Sequence, residues 1–475
     1  MSQLQWEKLL CKNRRRPSES SVEKRKTASV IARNQFEADY DRIVGSSSVR
    51  RLQDKAQVFP LQKNDFTRTR LTHSMEVSAM ARSLGKAVGK QIEQRTDSFT
   101  GDMTDELAAL LQTAGLIHDL GNPPFGHYGE TVIRQWFSKW FDSNKFLKKE
   151  IILSDQEKKD FIFFDGNVQN LRIVTKLQIL NDAYGANFTY GTLAAIIKYP
   201  WESSSRKAIE RKKFGYFKSE EEIVKRIQEN TGLSEGVRHP ATYLLEAADD
   251  IIYICDDIED GVKKGYIPWD SVYKDIKKRF EDEKYQKLYG QIESRTPDGA
   301  IDDADKILSK VRMFRNYTQG YLFERAINEF MDNYDSIMTG TYDKKELLKC
   351  EEEFAAYLKK EVTGKYCFKC HEVLALELVG DRVIKTLLDI FVSALTESNY
   401  KELLDSAIFP GKIYNLISSN FKYIALHDYI HDNQRKLSDI SVYDKLHLVV
   451  DFISGMTDSY AVNLYKELTG ISLPQ

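Results

Sequence analysis

Apolar residues recur along most of the chain at the spacing of an α-helix. One apolar stripe runs from Arg70 to Ile92, and a second runs from Thr104 to His118. Pro240, a residue type favoured at the first helical position, begins a third helix that extends to about Lys264. The same period predicts further helices at 303–337, 343–361, 371–399, 399–406 and 441–468. The pattern therefore predicts a mainly α-helical fold.

Strand-like alternation is rare and predicts one short hairpin around 209–218. The stretch 140–235 is the least regular part of the sequence, with runs rich in charged residues and in serine. These changes in composition and regularity along the chain predict three regions. They are a basic N-terminal arm (1–32), a helical core (33–268) with insertions around 140–235, and a C-terminal helical region (269–475) packed on that core.

Composition narrows the class of protein. The 475 residues are 42% hydrophobic and 29% charged, which is typical of a soluble globular protein. The net charge of −2 gives no general attraction to nucleic acid. Basic runs at 12–17 and 23–28 predict a solvated arm, with a phosphate-binding arm as the alternative.

The same sequence predicts a cytoplasmic location. Five scattered cysteines fit a reducing compartment better than a disulfide framework. No apolar run approaches the roughly 18 residues that a membrane span needs, and the first residues do not resemble a secretory signal.

The segment LIHDLGNPPFGHYGE (116–130) concentrates chemistry, because two of only 8 histidines lie in it, each close to a carboxylate. His118 and Asp119 are adjacent, so both bind one ion only where a helix ends, and the following glycine and prolines predict such an end. His127 and Glu130 are three residues apart, which puts them on one side of a new helical turn.

Two other helices carry possible partners for this segment. His73 lies on the first predicted helix, and Asp249 lies on the third with Tyr253 and Asp257 at i+4 and i+8. A solvated acidic face is the alternative for that third helix. A set of His73, His118, Asp119 and Asp249 offers mixed nitrogen and oxygen ligands, which suit Mn²⁺ or Mg²⁺ and also Co²⁺, Ni²⁺ or Fe²⁺.

The spacing His, His-Asp, Asp on helices resembles the HD superfamily of metal-dependent phosphohydrolases, and longer blocks resemble one family within it. Collinear segments are similar to bacterial deoxyguanosine triphosphate triphosphohydrolases: RNQFEADYDRIVGSSSVRRLQDKAQVFPLQKNDFTRTRLTHSMEVS (33–78), AGLIHDLGNPPFGHYGE (114–130), FTYGTLAAIIKYPW (188–201), YLLEAADDIIYICDDIEDGVKKG (243–265) and LVVDFISGMTDSYA (448–461). On this resemblance, 33–268 is an HD phosphohydrolase core.

The resemblance implies a role for each matching residue. The metal ligands are His73, His118, Asp119 and Asp249, and the catalytic pair is His127 and Glu130. Tyr253 and Asp257 hold the deoxyribose, with Gln53 at its 3′-hydroxyl. The triphosphate contacts are Arg70, Lys198, Tyr199 and Lys213, and Glu377 is the candidate for reading guanine.

The implied activity is metal-dependent hydrolysis of dGTP, and of other dNTPs, to the deoxynucleoside and inorganic triphosphate by water attack at the α-phosphorus. The resemblance also implies a homo-oligomer (a hexamer or tetramer) and a response to a second nucleotide or to single-stranded DNA. Two alternatives stay open: a different HD nucleotide phosphohydrolase or phosphodiesterase, and a non-catalytic nucleotide or nucleic-acid sensor on an HD scaffold.

Overall fold

The computed structural model describes residues 3–16, 33–60, 67–143, 153–178, 182–296, 299, 302–428 and 432–473, and these are mainly α-helical, as predicted. Helices α1 to α12 span, in order, Trp6–Leu9, Gln35–Val44, Ser47–Arg51, Arg70–Arg95, Gly101–Ile117, Gly126–Phe141, Asp155–Ile162, Gly166–Arg172, Tyr190–Ala195, Arg206–Arg211, Glu221–Thr231 and Pro240–Lys263. Helices α13 to α24 span Trp269–Arg279, Glu283–Arg295, Asp303–Asp332, Tyr334–Met338, Glu352–Ala356, Gly364–Tyr366, His371–Glu397, Tyr400–Leu404, Phe409–Leu416, Ser419–Leu426, Val442–Ser454 and Asp458–Leu468.

Short elements complete the described chain. Strands β1 (His427–Asp428) and β2 (Asn433–Gln434) pair antiparallel. Single 3₁₀ turns lie at Leu52–Asp54, Lys218–Glu220, Leu347–Glu351 and Leu437–Asp439, and π-helical turns lie at Ile173–Leu177 and Tyr357–Thr363. No described helix has both the length and the apolar character required to cross a membrane.

The chain forms two compact units. The first unit comprises Met1–Trp6, Ala56–Leu116 and Pro240–Leu376. The second unit comprises Glu7–Lys55, Ile117–His239 and Glu377–Gln475. The three regions expected from the sequence stay a prediction.

The core of the first unit is built around α12. This helix packs against α4 and α15, and its predicted apolar stripe is buried, including Ile251 and Cys255. Its acidic residues are buried as well, among them Asp256, Asp257 and Glu259. The alternative of a solvated acidic face on this helix is therefore wrong.

One arginine explains how these acids are accommodated. Arg68, just before α4, lies within 3.2 Å of carboxylate oxygens of Glu76, Asp256, Glu259 and Asp260. Burial alone would lower the pKa of Arg68, but Asp256 and Asp260 raise it above its ordinary value. Burial raises the pKa of Asp256 above its ordinary value, and the Arg68 guanidinium opposes this shift. The guanidinium thus fixes the start of α4 against α12.

The second unit has a core that mixes aromatic and polar groups. The Phe137 and Phe161 rings stack at 4.7 Å. Asp160 is fully buried beside them and accepts hydrogen bonds from Ser203 Oγ (2.6 Å), the Lys218 amide (2.9 Å) and the Tyr443 hydroxyl. Burial raises the pKa of Asp160 to about 7.

The predicted solvated arm is wrong for residues 3–16. Leu9 is buried, Arg14 pairs with the buried Asp39, and Arg15 Nη1 donates to the Thr175 carbonyl at 2.6 Å. Each guanidinium gains a fixed acceptor, so these residues belong to the folded chain. The rest of the arm (17–32), with the basic run at 23–28, lies outside the described residues.

The predicted hairpin at 209–218 is wrong. Residues 206–211 form α10, which ends at Lys212 in the left-handed conformation (φ 51°). Gly215 then passes so close to the Tyr199 carbonyl oxygen that a Cβ would stand 1.8 Å from it. The apparent alternation comes from Phe214 and Tyr216, which a connecting segment buries without strand pairing.

The predicted helices at 303–337 and 441–468 each divide in two, and 343–361 is not one helix. In the last case a 3₁₀ turn precedes α17 and a π-helical turn follows it. The break buries Glu351, which accepts a hydrogen bond from the Tyr285 hydroxyl at 2.6 Å. A buried polar contact therefore accompanies the interruption within 343–361.

Replacing Arg68 by Met is expected to lower the melting temperature strongly. The change leaves buried carboxylates without their cation, which costs about 3–5 kcal/mol when one partner of a buried pair is removed. Arg82→Met, at an exposed position of α4, is the matched control and should melt like the wild type. Equal melting temperatures for the two variants would contradict this account.

Asp160 is expected to make stability fall as the pH rises from about 4 to 7. Its pKa is raised from 3.8 to about 7 on folding, so between these pH values the folded state binds a proton that the unfolded state does not. The free energy of unfolding therefore falls as the pH rises and this proton dissociates. Asp160→Asn should flatten this part of the curve of unfolding free energy against pH, measured by urea titration. An unchanged slope would show that Asp160 does not titrate there.

Candidate metal and nucleotide site

In the first unit, α4 and α12 bring a histidine and a carboxylate together. Thr69 caps α4 through reciprocal hydrogen bonds with Thr72, which fixes the first turn that carries His73. His73 is buried, and its Nε2 lies 3.1 Å from Asp249 Oδ1 on α12. The Asp249 side chain is 38% exposed, so solvent reaches the carboxylate of this pair.

This pair fits a divalent ion. Two ligand atoms at roughly 2.1 Å from one ion and at right angles to each other are about 3 Å apart. The His73–Asp249 separation of 3.1 Å matches that spacing, and an imidazole nitrogen with a carboxylate oxygen is a donor set that Mn²⁺ and similar ions accept.

In the second unit, His118 and Asp119 follow the end of α5, as the sequence predicts. Leu120 N donates to Ile117 O at 3.2 Å, which begins the turn out of the helix. His118 Nε2 lies 3.6 Å from Asp119 Oδ1, a spacing that again allows two ligands to one ion. Asn122 Nδ2 donates to Asp119 Oδ1 at 2.5 Å and orients this carboxylate.

The hinge after this pair has an unusual backbone. Phe125 and Gly126 both have positive φ angles (63° and 60°), and Phe125 N donates to Asp458 Oδ1 at 2.9 Å. A Cβ on Gly129 would stand 2.1 Å from the Pro124 carbonyl oxygen, so only glycine allows this close approach. The hinge starts α6 in one fixed direction.

His127 and Glu130 lie on the first turns of α6 and differ sharply in exposure. The His127 side chain is 82% exposed, that of Glu130 is 5% exposed, and His127 Nδ1 lies 3.6 Å from Glu130 Oε2. Glu130 is held by the Gly166 amide (2.8 Å) and by Arg134 Nη2 (2.9 Å). The carboxylate is therefore fixed, and the imidazole stands in front of it, open to solvent.

Tyr253 and Asp257 follow Asp249 on α12 and lie in a crowded polar surrounding. The Tyr253 ring stacks on Phe368 at 6.4 Å, and Lys359 Nζ stands 5.5 Å from its centre while pairing with Asp250. Burial, with a further contribution from Asp260, raises the pKa of Asp257 well above its ordinary value. Asp257 Oδ2 has no hydrogen-bond partner within the described part of the chain.

Two glutamines are candidates for the sugar hydroxyl. The predicted Gln53 is exposed and belongs to the second unit. Gln57 belongs to the first unit, with Tyr253 and Asp257, and its Oε1 is buried with no hydrogen-bond partner among the described residues. The sequence reading missed Gln57, although it lies in the same LQDKAQVFP block.

The predicted phosphate contacts have different surroundings. Arg70 is buried on the first turn of α4, in the first unit. In the second unit, Lys198 Nζ stands 5.9 Å from the centre of the Tyr199 ring. Lys213 pairs with the buried Asp165; burial alone would raise the pKa of that acid, but the ammonium lowers it.

Glu377, the candidate for reading the base, lies half-buried on α19. Burial raises its pKa above the ordinary value. Burial raises the pKa of the nearby Tyr128, and the charges of Asp381 and Glu377 raise it further. A half-buried carboxylate of this kind is accessible to a ligand and poorly solvated.

Two family models and several relatives of nearly the full length match this chain. The HD domain model matches residues 70–162, and the phosphohydrolase-associated domain model matches residues 422–467. A Listeria innocua protein named deoxyguanosinetriphosphate triphosphohydrolase-like protein is 39% identical over 476 residues, which cover 99% of this chain and 100% of the relative. A Synechocystis protein of the same name is 33% identical, with coverage of 99% and 100%. A Salmonella paratyphi A protein named deoxyguanosinetriphosphate triphosphohydrolase is 31% identical, with coverage of 92% and 94%.

Proposed function

Because the chain belongs to the deoxyguanosinetriphosphate triphosphohydrolase-like family of HD-domain phosphohydrolases, we propose that it hydrolyses dGTP, and other dNTPs, to the deoxynucleoside and inorganic triphosphate. The observation that carries this proposal is the 3.1 Å approach of His73 Nε2 to Asp249 Oδ1 on the helix that also bears Tyr253 and Asp257. A metal-dependent phosphohydrolase places an ion next to its nucleotide pocket, and in this proposal the helix supplies groups for both.

In this proposal His73, His118, Asp119 and Asp249 hold one divalent ion, Mn²⁺ or Mg²⁺ in the first place and Co²⁺, Ni²⁺ or Fe²⁺ as alternatives. The spacing within each pair supports the assignment. When bound, such an ion lowers the pKa of a coordinated water and polarises the phosphoryl oxygen.

His127 moves the proton. Its Nδ1 is turned towards Glu130 Oε2, and we assign proton transfer with the substrate to its Nε2. Glu130 cannot swing away, because Gly166 and Arg134 hold both of its oxygens. The imidazole then takes the proton of the attacking water as general base, or gives one to the leaving 5′-oxygen as general acid.

The remaining residues bind the nucleotide. Tyr253 packs against the deoxyribose and leaves no room for a 2′-hydroxyl, and Asp257 accepts from the 3′-hydroxyl. Gln57 is a better partner for that hydroxyl than Gln53, because its buried Oε1 lacks a hydrogen bond. Arg70, Lys198, Tyr199 and Lys213 contact the triphosphate, and Glu377 accepts from the guanine N–H groups.

A cytoplasmic location, assembly as a homo-oligomer (hexamer or tetramer) and a response to a second nucleotide or to single-stranded DNA belong to the same proposal. They follow from the family resemblance and from the composition of the chain.

The products of dGTP should be deoxyguanosine and inorganic triphosphate, separated by ion-exchange chromatography after incubation with Mn²⁺ or Mg²⁺. His127→Ala should lower kcat by roughly 10²- to 10⁴-fold, the contribution of a general acid or base. His371→Ala, at an exposed histidine outside the site, is the control. Pyrophosphate or orthophosphate would indicate another HD enzyme, and metal binding without turnover of any dNTP would indicate a sensor.

Asp249→Asn should weaken Mn²⁺ binding about tenfold or more, measured by titration calorimetry, because an amide is a poorer ligand than a carboxylate. Asp250→Asn is the matched control one residue away, since Lys359 already occupies that carboxylate. Equal affinities of the two variants for Mn²⁺ would remove Asp249 from the ligand set.

A further inference from the structure

The second unit contains a polar cavity of about 210 Å³ that the proposed reaction does not use. Its walls come from α3, the residue after Asp119, the π-helical turn at Ile173–Leu177, and the segments that begin α22 and end α23. A cavity of this volume accommodates a small polyatomic ion together with water.

Two cationic side chains, Arg51 and Lys55, line this cavity. Arg51, an exposed residue, is one of them, and no hydrogen bond or ion pair joins its side chain to the part of the chain that the structure describes. Lys55, which is buried, also lines it, and its Nζ donates to the carbonyls of Asn122 and Ser454. The one acid in the wall, Asp451, is already neutralised, because Arg172 binds both of its oxygens at 2.7 Å.

Neutral donors complete the lining. Three serines, Ser47, Ser48 and Ser418, line the cavity in addition to the two cations. Hydroxyl groups beside a guanidinium are the usual partners of a tetrahedral oxyanion, which accepts several hydrogen bonds at once. The chemistry of the wall thus favours a phosphate-type anion over an apolar or cationic ligand.

The cavity also has a physical connection to the metal-binding pair of its own unit. Lys55 Nζ donates to the backbone carbonyl of Asn122, and Asn122 Nδ2 donates to Asp119 Oδ1. An anion that attracts the Lys55 ammonium therefore pulls on the residue that orients Asp119. Leu120, directly after Asp119, forms part of the same wall.

We propose that this cavity is a binding site for a small oxyanion of the phosphate class, and that its occupation alters metal binding through Lys55, Asn122 and Asp119. The binding site stands independently of the proposed reaction. The coupling rests on the proposed function, because it requires Asp119 to be a metal ligand.

The binding part is tested by calorimetric titration of the full, metal-free chain with inorganic phosphate. Arg51→Gln should weaken binding about tenfold or more, the effect of losing one charged hydrogen-bond donor. Arg50→Gln is the matched control, because this neighbour donates to the Gly45 carbonyl and does not line the cavity. Arg70→Gln removes a proposed active-site phosphate contact, so any weakening in this variant measures phosphate bound there and not in the cavity.

Equal affinities of the Arg51→Gln variant and the wild type for phosphate, or loss of binding only in Arg70→Gln, would overturn the proposal. A parallel titration with ribose 5-phosphate shows whether the phosphate group is accepted free or attached to a sugar. Binding of free phosphate and binding of ribose 5-phosphate each support the site, provided that Arg51→Gln weakens that binding.

The coupling part is tested by measuring Mn²⁺ affinity at increasing phosphate concentration. Mn²⁺ and phosphate also form complexes in solution. These complexes affect Arg50→Gln and Arg51→Gln equally, so the difference between the two variants does not depend on them. Wild type and Arg50→Gln should show the same phosphate dependence, and Arg51→Gln should show less. Identical curves for all three proteins would contradict the coupling and leave the calorimetric binding result intact.

Discussion

The pairing of Arg68 with the acids of α12 is the interaction on which the candidate metal site of the first unit depends. Arg68 lies at the start of α4, five residues before His73, and reaches Asp256, Glu259 and Asp260 on the helix that carries Asp249. The ion pairs fix both the rotation and the height of one helix against the other. A shift of one helical turn would separate His73 from Asp249 by about 5 Å and leave no two-ligand pair.

A comparable constraint acts on His127 and Glu130, the proposed catalytic pair, in the second unit. Glu130 gains its position from the Gly166 amide and from Arg134, whose Nη2 also lies 3.6 Å from Asp165. His127 lies beside this network, with its Nδ1 3.6 Å from Glu130 Oε2 and its side chain 82% exposed. The polar framework therefore fixes the carboxylate, while the imidazole keeps the access that a proton transfer requires.

Periodicity predicted the long helices well, because a stripe of apolar residues determines both the helix and its buried face. The end of α5 at the His118–Asp119 pair was predicted from glycine and proline, because the backbone preferences of these residues are local. It failed at 209–218 and 343–361, where the outcome depends on distant partners such as Tyr199 for Gly215 and Tyr285 for Glu351. It also missed Gln57, because only the fold shows which of two nearby glutamines has a buried oxygen without a partner.

The proposed steric selection against a 2′-hydroxyl requires that the Tyr253 ring is held in place. A tyrosine packed on one face rotates away at little cost, and the expected selectivity is then lost. Here Phe368 stacks on the ring, and the Lys359 ammonium also stands over it, held in turn by Asp250. Lys359 belongs to the π-helical turn Tyr357–Thr363, an irregularity that is frequent at functional sites. A regular helix advances about 100° per residue, so the extra residue of a π turn changes the direction in which Lys359 points. The π-helical turn thus helps to hold the Tyr253 ring, because it sets the position of Lys359 over that ring.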